Sequence, residues 1–220
     1  MAVPRLLAQG SYGCVYKPSL HCQASEPLDL RNKVSKFMAQ SHAKRELAEY
    51  DYLKTADPRA QYHLGVPETC VPADNRVNRG ALRKKCRVYD PQSRKSYRLI
   101  VMKDGGMPLS SYADYIESLP VNTQTTKKVK QVWVEVRRLL DGIRSFLDHG
   151  LVHHDVNGQN IVYNEENGRI NFVDFGLMER RSMSIQDATK SKYKWATSHW
   201  SFPWESLLLN QRDFAKFVQQ

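Results

Sequence analysis

Apolar residues fall in short β-prone runs over most of the first hundred positions and recur at helical spacing mainly afterwards. Leu6 to Lys17 reads as strand, glycine turn, strand, and Lys33-Val34-Ser35-Lys36-Phe37-Met38 as a third strand beyond a polar loop, Pro18 to Asn32. Ser41 to Thr55 predicts a helix with Leu47, Tyr50 and Leu53 on one face. Asp57 to Asp90, broken by Pro58, Pro67 and Pro72, predicts mostly loop. Tyr97 to Met102 predicts another strand, Leu109 to Leu119 a short helix and Thr126 to His149 a longer one. The long helix carries Val129, Val132, Val136, Leu139, Leu140, Ile143 and Leu147 at helical spacing. Ile161-Val162-Tyr163 and Arg169 to Val173 flank Asn167-Gly168 and predict a hairpin. Leu177 to Ser201 is polar and basic, and Leu207 to Gln220 is a short amphipathic tail.

At 220 residues the chain can bury a real core. With 41% hydrophobic and 25% charged residues it has the balance of a globular protein rather than a disordered one. No apolar run reaches the roughly 18 residues of a membrane helix, and Met1 to Gly10 lacks a secretory pattern, so an intracellular location is expected. Cys14, Cys22, Cys70 and Cys86 form no C-x-x-C pair, which argues against zinc and leads us to expect four reduced thiols. The net charge of +10 suits anionic partners, such as nucleotide phosphates or acidic proteins. Its excess lies between Arg76 and Arg98, a run that reads most simply as a solvated face. No nucleic-acid-binding motif is present.

The candidate chemistry sits around the hairpin. Pairing its strands brings Asn160 and Asp174 side by side at the open end, with Asp155 one loop away. An amide oxygen and a carboxylate so placed can hold Mg²⁺, which prefers oxygen ligands and takes few from protein when phosphates supply the rest. Asp155 can then accept a proton from an incoming hydroxyl.

His153-His154-Asp155-Val156-Asn157-Gly158-Gln159-Asn160 followed by Asp174-Phe175-Gly176 resembles the catalytic loop and D-F-G of protein kinases. Gly10-Ser11-Tyr12-Gly13-Cys14-Val15 is similar to the family's glycine-rich loop, with Ala8 where the first glycine would stand. The resemblance implies an α+β, bilobal kinase-like fold over residues 1–220: a β-rich lobe to about 102, a hinge at 103–106, and a helical lobe from 107. It implies ATP and Mg²⁺ as cofactors, with Asp155 as base and Asn160 and Asp174 as metal ligands. Gly10, Ser11 and Gly13 would lie on the phosphates, and Val15 and Met102 against the adenine. Lys36 is preferred over Lys33 as the phosphate-contacting lysine, and Glu49 over Glu46 as its carboxylate partner. Phe202-Pro203-Trp204-Glu205 is similar to the family's A-P-E and speaks for a protein substrate.

The pairing of Gly10-Ser11-Tyr12-Gly13-Cys14-Val15-Tyr16-Lys17-Pro18 with Asn171-Phe172-Val173-Asp174-Phe175-Gly176 looks most like that of divergent serine/threonine kinases of large DNA viruses, which would place the protein in host cytoplasm or virion. Asn157 stands where most such kinases have a lysine, and His154 where they have an arginine. The family continues for several helices past the glutamate matched by Glu205, so the helical lobe is expected to be truncated or completed by a partner. A serine/threonine kinase is the leading expectation; a pseudokinase and a small-molecule kinase are the alternatives.

Overall fold

The computed structural model describes residues 3–92 and 96–180. They form two compact units, one reaching Gly106 and one starting at Met107. The mixed α+β class follows from a sheet-rich first unit and a helix-and-hairpin second unit. Most of the expected activation segment, Phe202-Pro203-Trp204-Glu205 and the tail lie outside the described residues.

The first unit is an antiparallel sheet of β1 (Arg5–Gln9), β2 (Gly13–Lys17), β3 (Lys33–Ala39), β4 (Glu68–Cys70) and β5 (Tyr97–Lys103), in the order β1-β2-β3-β5-β4. Side chains alternate between faces along each strand, and the register aligns the alternation across strands. Cys14, Phe37, Leu99 and Cys70 are opposite one another and share one face; Val15, Lys36 and Ile100 share the other. Helix α1 (Gln40–Ala56) lies on the Lys36 face, where Met38, Ala43 and Ile100 are buried together with Leu47 and Met102 against them.

The opposite face is covered by the two stretches expected to be loops. The 57–90 region contains β4 and a ten-residue helix, α2 (Arg76–Lys85). Asn75 caps α2 by accepting from the Asn78 N–H at 2.8 Å, and Leu82 and Asn78 are its buried residues. Asn78 also ties the helix to the 18–32 loop, accepting from His21 N–H at 3.0 Å and donating to the His21 carbonyl at 2.8 Å. Leu20, Leu82, Phe37, Leu99 and Tyr16 close one apolar cluster beneath them. Burial pushes the Tyr16 phenol up to about 12, so it stays protonated and donates to the Ala81 carbonyl at 3.2 Å.

Two disulfides run through this cluster and correct the expectation of reduced thiols: Cys14–Cys86, with Cα atoms 5.9 Å apart, and Cys22–Cys70, at 5.7 Å. The reason for the miss is physical. The partners lie 72 and 48 residues apart, and only the β4 and α2 elements bring them to Cys14 and Cys22. Such bonds belong with oxidising surroundings.

The second unit holds β6 (Met107–Pro108), α3 (Leu109–Glu117), α4 (Thr123–Asp148), β7 (Leu151–His153), β8 (Ile161–Asn164), β9 (Arg169–Phe172) and β10 (Met178–Arg180). β8 and β9 form the expected hairpin, in register from Ile161↔Phe172 to Asn164↔Arg169. Helix α4 buries Leu139, Gly142 and Phe146, whereas Leu140 and Leu147 of the expected stripe are exposed. Glu135 fixes α4 to the hairpin by accepting from the Ile170 N–H at 3.1 Å. No described helix is long and apolar enough to cross a membrane.

Two predictions follow from the first unit. Unreduced protein in denaturant should show no thiol reactive to Ellman's reagent, and Cys14→Ala with Cys86→Ala should lower unfolding free energy by ~2–4 kcal/mol. Four reactive thiols would show the pairing to be wrong. The second concerns His63, buried at the end of α1 beside Asp57 at 3.7 Å. Burial holds its pKa below the ordinary 6.5, although the Asp57 charge pulls the other way. The unfolded chain therefore takes up a proton first as pH falls through 6.5. His63's contribution to stability is complete above that value and is lost below it. Urea midpoints should fall from pH 7 to pH 5.5, and His63→Gln should make that fall shallower; an unchanged slope in the variant would exclude His63 as its source.

Candidate active site

In the first unit the chemistry gathers on the Lys36 face of the sheet. Gly10 N–H donates to the Gly13 carbonyl at 3.0 Å and closes the turn between β1 and β2, with Ser11 and Tyr12 exposed at its tip. Gly13 has no room for a side chain, because a Cβ would stand 2.9 Å from the Phe37 carbonyl oxygen. The Tyr12 ring lies 4.7 Å from that of His42 at the start of α1. Val15 is opposite Lys36, and Met102 is opposite Val34 on the same face.

Lys36 Nζ is 2.7 Å from Glu46 Oε2, with both side chains nearly buried, at 12% and 7% exposure. This corrects the choice of Glu49 as the lysine's partner. Glu46 is a buried position on α1 whereas Glu49, three residues on, is half-buried. Helical spacing alone offered both, and the pattern of Leu47, Tyr50 and Leu53 does not separate them. The competing lysine, Lys33, pairs instead with Glu68 on β4. A lysine held this way is fixed in position, and breaking a nearly buried pair by removing one member is costly.

In the second unit Asp155 is the centre of a short hydrogen-bond network. Asn157 Nδ2 donates to Asp155 Oδ1 at 2.8 Å, and Asn160 Nδ2 donates to Asp155 Oδ2 at 2.7 Å. The Asp155 N–H donates to His153 Nδ1 at 3.3 Å, which leaves the ring proton on Nε2, 3.3 Å from the Val173 carbonyl. Burial pushes His153 below the ordinary histidine pKa, although Val173, Asp155 and Asp174 oppose the shift, so the ring is neutral. It packs beside Phe175 and Phe172, with centroids 5.1 and 5.9 Å away.

Asn160 binds the loop to the hairpin as well. Its carbonyl accepts from Val173 N–H at 3.0 Å, which brings the start of β8 to the residue before Asp174. Asp174 has a φ of 58°, a left-handed backbone that a non-glycine residue adopts at a cost of order 1–3 kcal/mol. Such strain is retained where the surroundings over-determine it, commonly at functional positions. With both amide hydrogens of Asn160 turned toward Asp155, its Oδ1 is the atom left for a cation. His154 Nε2 lies 3.8 Å from Glu179 on β10.

One roles-relevant residue was missed by the sequence reading in its function: Asn157 is a direct partner of the Asp155 carboxylate. Its amide in a tight loop two residues on was the available signal. A family model for the ABC1 atypical kinase-like domain matches residues 112–196. The match covers less than half of the chain and includes Asp155, Asn157, Asn160 and Asp174, so the similarity to a kinase-like domain falls on the stretch that carries this network.

Proposed function

We propose that the protein is an ATP- and Mg²⁺-dependent protein kinase that transfers the γ-phosphoryl group to serine or threonine hydroxyls. The observation that carries this reading is the Asp155 carboxylate, aimed by two amide donors and joined through Asn160 to Val173, the residue before the left-handed Asp174. The kinase-like match over residues 112–196 supports it. In this reading residues up to about 102 form one lobe, 103–106 the hinge, and those from 107 the other.

The donor set fits the cofactors. Gly10, Ser11 and Gly13 offer backbone N–H groups to phosphates, Lys36 a cation oriented by Glu46, and Val15 and Met102 an apolar lining for adenine. Asn160 Oδ1 and the Asp174 carboxylate are oxygen ligands of the kind Mg²⁺ takes. Bound there, Mg²⁺ would offset phosphate charge and orient the transferred group. Asp155 accepts the hydroxyl proton as the new oxygen–phosphorus bond forms and the bond to the ADP oxygen breaks. The glycine-loop and D-F-G residues also resemble those of divergent serine/threonine kinases of large DNA viruses, and of the two locations this suggests, the disulfides fit a virion or another oxidising setting rather than reducing host cytoplasm.

One geometry favours the pseudokinase alternative: Asn157 donates to Asp155 Oδ1 from the position of the usual lysine, so that cation is missing. Losing one preorganised donor costs ~10²–10³ in rate in comparable oxyanion sites.

Three measurements separate these readings. Saturating Mg²⁺-ATP should raise the melting temperature, since ligand at a hundred times its dissociation constant stabilises by ~2.7 kcal/mol. Glu46→Gln should remove most of that shift; no shift in folded wild type would exclude nucleotide binding altogether. Asp155→Asn should abolish single-turnover transfer from labelled ATP to a basic protein yet leave the thermal shift intact. Transfer surviving Asp155→Asn would remove Asp155 as base. Asn157→Lys should raise transfer without tightening ATP binding, because the gain belongs to the transition state. Absent transfer in both wild type and Asn157→Lys, with ATP bound, would establish the pseudokinase.

A further inference from the structure

Helix α2 presents Arg76, Arg79 and Arg83 in one row, with Gly80 among them, along a shallow groove of about 310 Å³. At 3.6 residues per turn the three arginines fall within an arc of about 60°, turned about 110° away from the side that buries Asn78 and Leu82. All three are exposed. Several other cations of this unit are paired with carboxylates, Arg98 with Glu26 at 2.9 Å and Lys33 with Glu68 among them. Among the described residues no carboxylate pairs with Arg76 or Arg83, and Arg79 reaches only the exposed Asp74 at 3.4 Å.

The row is also fixed in place. Cys86, the residue that ends α2, is bonded to Cys14, and Asn78 and Ala81 are hydrogen-bonded to the 18–32 loop and to β2. A preorganised charged surface loses little entropy when it binds.

We propose that this row docks an extended, acidic segment of a protein partner. Guanidinium groups bind carboxylates through two parallel hydrogen bonds. Alternate residues of an extended peptide lie ~6.6 Å apart, close to the ~4.5 and ~6 Å rises from Arg76 to Arg79 and from Arg79 to Arg83. Duplex nucleic acid fits less well. The row is only ~10 Å long, room for few phosphate contacts, and α2 has no aromatic residue on which bases could stack. The proposal stands whether or not the chain transfers phosphate.

The test is fluorescence anisotropy of the full chain with a labelled peptide of alternating Glu and Ser, its Gln-Ser counterpart, and a short DNA duplex. Wild type should bind the Glu peptide and not the Gln peptide. Arg76→Gln, Arg79→Gln and Arg83→Gln combined should weaken binding on the order of tenfold. Lys130→Gln, Arg137→Gln and Arg144→Gln on α4, which remove the same charge, should not. Melting curves establish that each variant is folded, and Arg76→Gln alone replaces the triple variant if that one unfolds. Equal loss in both triple variants, unchanged binding in the α2 variant, or tighter α2-dependent binding of the duplex would each overturn the proposal.

Discussion

Lys36 and Phe37 are neighbours on β3 and must point to opposite sides of the sheet. Lys36 meets Glu46 of α1, while Phe37 is sealed among Cys14, Leu99 and the tyrosines of the other face. A slip of one residue would exchange them, burying an ammonium among apolar side chains and stranding Glu46. The register of β3 is therefore the constraint on which the first unit depends. It is pinned from both edges: seven consecutive pairs join β3 to β5, and four join it to β2. The stacked Phe37 and Tyr97 rings, 4.6 Å apart, and the Cys14–Cys86 bond beside Phe37 favour the same alignment.

In the second unit a single amide does comparable work. Asn160 spends both of its hydrogens on Asp155 and its carbonyl on the Val173 N–H. Two positions separated in sequence, Asp155 and Val173, are thus set by one residue whose own place is fixed by the hairpin. His153 supports them from below, and its burial among phenylalanines keeps it a neutral acceptor for the Asp155 N–H. A protonated ring would lose that acceptor and place a charge next to Phe172 and Phe175.

Local order explains what could be read from the sequence. The β8–β9 hairpin has a short turn and two β-prone arms, so sequence neighbours determine it, and the pairing of Asn160 with the Asp174 end follows directly. Helices α1 and α4 show the helical period and appear within three residues of their expected bounds. The choice between Glu46 and Glu49 was not legible, because it depends on how α1 is rotated over the sheet, a tertiary quantity. Leu140 and Leu147 raise the same difficulty: a stripe wide enough to include them does not say which edge faces inward. Between 57 and 90 the prolines point to loop, and α2, rich in Arg and Lys with Leu82 as its one large buried side chain, carries too few apolar residues to mark a helix. Cysteine spacing carried no pairing information for the same reason, since the partners meet only through that helix and β4.

The disulfides change the mechanical character of the two stretches expected to be loops. Without them, α2 would rest on Leu82, the Asn78 bonds and the Tyr16 hydroxyl, contacts that together could open locally. With Cys86 bonded to Cys14, the helix end is covalently joined to the strand that carries Gly13 and Val15, one residue from each. Cys22–Cys70 does the same for the 18–32 loop and β4. One face of the sheet is thus closed by covalent links and apolar packing, and Val15, Lys36 and Met102 are left to the other. Alternation makes this division possible: the residues that bind the covering layer and those that bear Lys36's chemistry are interleaved on the same strands, so fixing the first set fixes the second.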